Sequence, residues 1–145
     1  MKAVIIKTDG SKEIVEFDND NAYGVLSGAV DGYIQQVPLD DIGVTMYCNE
    51  EGKLHGLPQN PIATALWIDQ WGETDVMVGD VICVSDVVDQ EGYETSLTNE
   101  QIAYLMEYDK AAVYGMGDMG TLEFVYNDDD DDDVIIGEEE EVDVN

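Results

Sequence analysis

An acidic run near the end of the chain has the residue spacing of a calcium-binding loop. Asp128, Asp130, Asp132 and Glu139 occupy the positions that supply oxygen ligands in such a loop. The position that needs glycine for the sharp turn holds Asp133 instead, and an unbroken run of aspartates matches almost any spaced pattern. We therefore predict loose association with counterions and no specific metal site.

The other residue types that could do chemistry are sparse. His55 is the only histidine, and no cysteine or serine stands near it in the sequence to form a nucleophile–base pair. Carboxylates could act as general acids or bases, but 34 of them make chance proximity unavoidable. The chain has no phosphate-binding loop, dinucleotide fingerprint or zinc-ligand spacing. We predict no catalytic residue, no cofactor and no enzymatic activity.

The two cysteines, Cys48 and Cys83, lie far apart in the sequence and form no CxxC motif. With no signal peptide before Lys2, we expect two reduced thiols and a cytoplasmic protein. No apolar run approaches the roughly 18 residues that a membrane span requires, so no membrane segment is expected.

Charge is the strongest functional signal. The 145 residues include 34 acidic ones against five lysines and no arginine, which gives a formal charge of −29. Such a chain repels nucleic acid and anionic membranes. Its 44% apolar content still supports a folded core. Duplex DNA carries one charge per about 1.7 Å, so this charge corresponds to about 50 Å of duplex, similar to the roughly 40 Å diameter of a domain of this size.

Apolar and alternating runs predict strands, and a period of about 3.6 predicts helices. Strands are expected at 2–7, 12–17, 33–38, 44–48, 81–88 and 122–126. A helix of about ten residues should begin at Ala22 and stop at Gly32. Thr98 and Gln101 form a capping box at the start of another helix that ends near Tyr108.

The stretch 32–60 organises the rest of the prediction. Asp40, Asp41 and Gly43 should turn a hairpin between two strands, and Gly52 should take a positive φ in a second turn. An extended connector follows, in which Gly56, Pro58 and Pro61 should prevent a helix or an inner strand. Residues 62–71 fit either a helix or a strand.

The composition changes at Asn127. We predict a globular domain over 1–126 and an acidic tail over 127–145. The apolar residues 134–136 within the tail form either a short edge strand or a hydrophobic segment that docks on a basic groove. The fold class is α+β: a single domain with a small mixed or antiparallel sheet and two or three helices.

The segments GYIQQVPL, CNEEGKLHGLPQN, GDVICV and SLTNEQI resemble a small domain-of-unknown-function family. The resemblance covers about residues 1–108 and is most specific over 49–60. The family occurs in phage, plasmid and mobile-element genomes and implies a compact α+β unit without catalytic residues. This chain departs from it by its high acidity and its added C-terminal region.

These observations favour a DNA-mimic inhibitor whose carboxylates replace phosphates on the nucleic-acid-binding surface of a basic host protein. The partner would be a defence, transcription or nucleoid factor, and the inhibitor a monomer or homodimer. The candidate partner-binding residues are all acidic: Asp86, Asp89, Glu91, Asp128, Asp129, Asp130, Asp131, Asp132, Asp133, Glu138, Glu139, Glu140 and Glu141.

Two alternatives stay open. The protein could bind a small ligand such as a nucleotide signal, although phosphates are usually held by cations or helix N-termini. Alternatively, the charge could serve only solubility, as in salt-adapted proteins.

Overall fold

The computed structural model describes residues 1–92, 95–111 and 114. A compact unit spans Met1–Tyr108, and Asp109–Asn145 form a second unit. The elements of the first unit are β1 (Lys2–Ile6), β2 (Lys12–Glu16), α1 (Ala22–Val30), β3 (Ile34–Leu39), β4 (Val44–Asn49), α2 (Pro61–Trp71), β5 (Val81–Ser85) and α3 (Asn99–Glu107). Single 3-10 turns cover Asn19–Asn21 and Asp40–Ile42.

The strands of this unit form one five-stranded sheet in the order β2-β1-β5-β4-β3. Every neighbouring pair is antiparallel, which confirms the α+β prediction and settles the sheet as antiparallel. Strand β5 lies at the centre, and all its residues are buried. The predicted hairpin between β3 and β4 is present, with Leu39 opposite Val44.

Each face of the sheet is covered. Helix α1 packs its Leu26 and Val30 with Ala3, Ile82 and Val84 in one buried cluster. Because side chains alternate along a strand, the neighbours of these sheet residues point to the opposite face. There α2 contacts β3, and α3 contacts β1. The sheet is therefore the middle layer of the unit.

Local sequence explains how α2 begins. Asn60 is the N-cap, and its side-chain oxygen accepts from the Ala63 amide over 3.0 Å. Pro61 occupies the first helical turn, where its missing N–H costs nothing. The ambiguous segment 62–71 is thus helical, and Pro61 starts a helix, whereas it was expected to belong to an extended connector.

The capping box of α3 is confirmed. Gln101 donates its backbone N–H to the Thr98 hydroxyl over 3.1 Å, and the Thr98 amide donates to the Gln101 side chain over 2.9 Å. These bonds satisfy two amides that the first helical turn would otherwise leave unpaired.

Strand β5 is shorter than predicted and ends at Ser85, not at residue 88. The Ser85 hydroxyl accepts from the Val87 amide over 3.1 Å, and this local turn takes the chain away from the ladder. The predicted strands at 122–126 and 134–136 and the domain boundary after 126 lie outside the described residues.

Two glycines have a different role from the one predicted. The left-handed residue that ends α1 is Asp31, with φ 60°, and neither Gly32 nor Gly52 has a positive φ. A Cβ on Gly32 would lie 2.6 Å from Nδ2 of Asn49. Close approach to a neighbour, and not backbone handedness, therefore requires glycine at position 32.

Candidate functional site

The structure places Asp86, Asp89 and Glu91 in one exposed loop directly after β5. These are the predicted partner-binding residues that can be located. The remaining ones, Asp128 to Asp133 and Glu138 to Glu141, lie outside the described residues, as does the calcium-like spacing.

Backbone hydrogen bonds hold this loop against the sheet. The Asp86 amide donates to the Gly43 carbonyl over 3.1 Å, and the Thr95 amide donates to the Val87 carbonyl over 2.9 Å. Val87 and Val88 are 57% and 55% exposed. The loop therefore presents two apolar side chains among carboxylates.

Two neighbouring segments bring further acids that the sequence reasoning did not assign to a site. The Gln101 side chain donates to the carbonyls of Gly43, over 2.8 Å, and Ile42, over 3.1 Å. This contact joins the first turn of α3 to the turn between β3 and β4. Exposed acids from all three segments share this end of the sheet, and we call them the acidic end: Asp40, Asp41, Asp86, Asp89, Glu91 and Glu100.

Three lysines make their hydrogen bonds and ion pairs at the opposite end of the sheet. The Lys12 ammonium donates to the carbonyls of Met106, over 3.0 Å, and Tyr108, over 2.5 Å, at the C-terminus of α3. Lys7 lies 3.8 Å from the Glu13 carboxylate, and Lys53 forms an ion pair with Asp75. Lys2 lies instead at the start of β1, which is the end of that strand nearest Ser85 and the acidic end.

Described elements also form a pocket of about 240 Å³ at the other end of β4. Its apolar wall includes Val37, Cys48, Trp67 and Met77. Its charged lining residues come from the turn after β4 and the segment before β5, namely Glu50, Glu51, Lys53 and Asp75.

The thiol in this pocket is protonated at neutral pH. Burial, and to a smaller extent the Asp75 carboxylate, raise the pKa of Cys48 to about 11, while Lys53 opposes the shift. Burial alone raises the pKa of Cys83 to about 12. Both cysteines are free thiols, as the sequence predicted, and both are buried. Neither thiol is activated as a nucleophile.

The most specific part of the family resemblance, 49–60, builds the scaffold beside the pocket. Asn49 donates through Nδ2 to the carbonyls of Val30, over 3.0 Å, and Asp31, over 3.1 Å, at the end of α1. A Cβ on Gly52 would lie 2.8 Å from Cγ2 of Val78. These residues are thus required by packing and backbone hydrogen bonding.

His55 lies in the turn segment that follows β4. It is exposed, and its Nε2 lies 3.3 Å from Oε1 of Glu51. Within the described ranges, no group of three or more histidine, cysteine, aspartate or glutamate residues could hold a metal ion. The same ranges contain no helix that is long and apolar enough to cross a membrane.

Comparison with known proteins gives a family. Residues 1–110 match the family described as Domain of unknown function (DUF3846), and the chain belongs to it. This confirms the resemblance to a family of unknown function. A search of curated proteins found no match, and neither did a search of solved structures.

Proposed function

We propose that this protein is a DNA-mimic inhibitor that occupies the nucleic-acid-binding surface of a basic partner protein. The observation that supports this proposal is the acidic end, where three chain segments present exposed acidic residues and one of these segments also carries the exposed Val87 and Val88. Exposed apolar side chains together with acidic ones have the composition of a binding site for a basic protein.

The arrangement of the lysines adds to this argument. The ammonium groups of Lys7, Lys12 and Lys53 contact Glu13, the C-terminus of α3 and Asp75, away from the acidic end. The negative potential of the acidic end is therefore not neutralised by these cations. Complementary charge speeds association with a basic partner and makes the complex sensitive to salt.

Carboxylates can replace phosphates in such a complex because both accept charge-assisted hydrogen bonds from lysine and arginine. A protein that normally neutralises several phosphates would release its DNA when these carboxylates take their place. A phage, plasmid or mobile-element origin, which the sequence resemblance suggests, would make the partner a host defence, transcription or nucleoid factor.

The test is affinity capture with the full chain from a bacterial lysate at about 50 mM salt, followed by elution in a rising salt gradient. We expect one DNA- or RNA-binding protein to elute at moderate salt, and duplex DNA to displace it from the immobilised chain. A smear of basic proteins, or a captured protein that duplex DNA does not displace, would overturn the proposal.

A further inference from the structure

We infer that the pocket beside Trp67 receives a lysine or arginine side chain of the partner, an inference that rests on the proposed function. The pocket is defined by its lining residues Val37, Cys48, Trp67, Asp75 and Met77. Its volume of about 240 Å³ is below the range of about 300–1,000 Å³ typical of drug-sized ligands. One long side chain is an occupant of suitable size.

Charge selects a cation over an anion. Three acidic residues line the pocket, Glu50, Glu51 and Asp75, against the single lysine Lys53. The Glu51 carboxylate also lies 3.3 Å from Nε2 of His55, so Glu50 and Asp75 carry most of this argument. After burial, the Asp75 carboxylate is the second cause that raises the pKa of Cys48, another lining residue of the pocket. A nucleotide phosphate placed here would face more negative than positive charge, so the geometry disfavours the nucleotide alternative.

The chain itself shows that the pocket accepts an ammonium group. Lys53 forms an ion pair with Asp75, and their side chains are 60% and 39% exposed. Exposed ion pairs contribute little free energy because water and salt screen them. An incoming cation can therefore replace Lys53 at Asp75.

The apolar wall suits the rest of the incoming side chain. Lysine and arginine bury their aliphatic stems against apolar surface while their charged groups stay near acceptors. Leu54, which lines the pocket and is 80% exposed, offers that surface, and the indole of Trp67 offers a partner for a cation–π contact. The Trp67 ring is held in place, since its Nε1 donates to the Thr74 hydroxyl over 2.9 Å.

The pocket and the acidic end lie at opposite ends of β4. Asn49, the last residue of the strand, lines the pocket, while Val44 follows directly on the turn that carries Asp40 and Asp41. At about 3.4 Å per residue, this strand separates them by roughly 20 Å. A protein–protein interface of standard size is wide enough to span this distance.

The direct test titrates the full chain with N-acetyl-lysinamide and N-acetyl-argininamide and follows the indole N–H resonance of Trp67 by NMR. We expect saturable, millimolar binding of both cations and none of the neutral N-acetyl-norleucinamide. Equal shifts with the neutral probe, or no saturable shift with either cation, would overturn the inference.

Substitutions at Lys53 and Asp75 test whether the pocket binds a cation or an anion. Lys53→Gln should tighten binding of the cationic probes severalfold because it frees Asp75, whereas Asp75→Asn should weaken it about tenfold. Glu73→Gln is the matched control, because Glu73 is an exposed acid close to Asp75 that does not line the pocket. Weaker binding in Lys53→Gln, with binding of inorganic phosphate by the wild type, would identify an anion site instead.

The same probes separate this inference from the proposed function. A chain with its acidic end neutralised should lose the basic partner and still bind the cationic probes. If the intact chain captures a DNA-binding protein but binds no cationic probe, the pocket inference fails while the proposed function stands.

Discussion

The side-chain amide of Asn60 donates to the backbone carbonyl of Ile6 over 3.1 Å and joins the start of α2 to the end of β1. The same nitrogen donates to the Gly79 carbonyl over 2.9 Å, and the side-chain oxygen accepts from the Ala63 amide. Asn60 is 0% exposed. One buried polar side chain thus fixes three segments of the fold.

Substitution of this residue should be severely destabilising. Asn60→Ala leaves buried carbonyls and a helix amide without partners, and we expect a loss of about 2–4 kcal/mol in the free energy of unfolding. Urea denaturation measures it. Thr98→Ala, which removes an exposed cap, should cost only about 1 kcal/mol; equal losses in the two variants would contradict the role of Asn60.

Two glycines should respond to alanine with opposite signs. Gly24 lies inside α1 and has no atom within 4 Å of an added Cβ, so Gly24→Ala should stabilise by about 0.5–1 kcal/mol. Gly52→Ala forces its Cβ against Val78 and should destabilise by about 1–3 kcal/mol. Thermal or urea denaturation gives both values.

A second substitution tests whether the contact with Val78 causes the loss of stability in Gly52→Ala. Adding Val78→Ala to Gly52→Ala removes the Cγ2 atom that the new Cβ would meet. The double variant should be more stable than the sum of the two single losses predicts. Simple additivity would mean that the contact with Val78 is not what requires glycine.

Lys12 should contribute to stability through α3. Lys12→Met removes the ammonium that binds the Met106 and Tyr108 carbonyls at the negative end of this helix. We expect it to lower the free energy of unfolding by about 1 kcal/mol more than Lys2→Met does. Lys2→Met is matched because it makes the same charge change at an exposed position; equal effects would show that net charge alone matters.

The buried thiols predict a loss of stability at high pH. Burial raises the pKa of Cys83 from 9.0 to about 12, so the folded thiol keeps a proton that the unfolded thiol has lost. Between these values the folded state binds more protons, and the free energy of unfolding must fall as pH rises. Below pH 9.0 the Cys83 thiol keeps its proton in both the folded and the unfolded state, so no stability is lost there.

Urea denaturation from about pH 8 to about pH 11 tests this, with Cys83→Ala as the comparison. The rest of the chain is the same in both proteins and cancels in the difference. The wild type should lose stability with pH more steeply than the variant; parallel curves would contradict a buried, protonated Cys83.

Local signals predicted the fold better than the site. The capping box at Thr98 and the hairpin around Asp40 follow from short-range rules and were correct. Segment 62–71 stayed ambiguous because its periodicity fits two structures, and the buried cap at Asn60 decides between them. The reason for glycine at position 52 could not be read from the sequence, because the atom it approaches belongs to Val78.

The candidate site, too, depends on contacts between segments that are distant in the sequence. Asp86, Asp89 and Glu91 are close in sequence and were selected together, whereas Asp40 and Glu100 join them only through hydrogen bonds to Gly43. The pocket also combines separate segments. Contacts between distant parts of a chain depend on sheet order, which local patterns do not specify.

Two chains with equal net charge test the central claim most directly. One neutralises the acidic end with Asp40→Asn, Asp41→Asn, Asp86→Asn, Asp89→Asn, Glu91→Gln and Glu100→Gln. The other neutralises as many exposed acids elsewhere, with Asp9→Asn, Glu13→Gln, Asp31→Asn, Glu73→Gln, Glu107→Gln and Asp109→Asn. The measurement is how well each chain displaces duplex DNA from the captured partner. We predict at least a tenfold loss for the first chain and little change for the second. Equal losses would show that the charge acts only in bulk and would contradict the account.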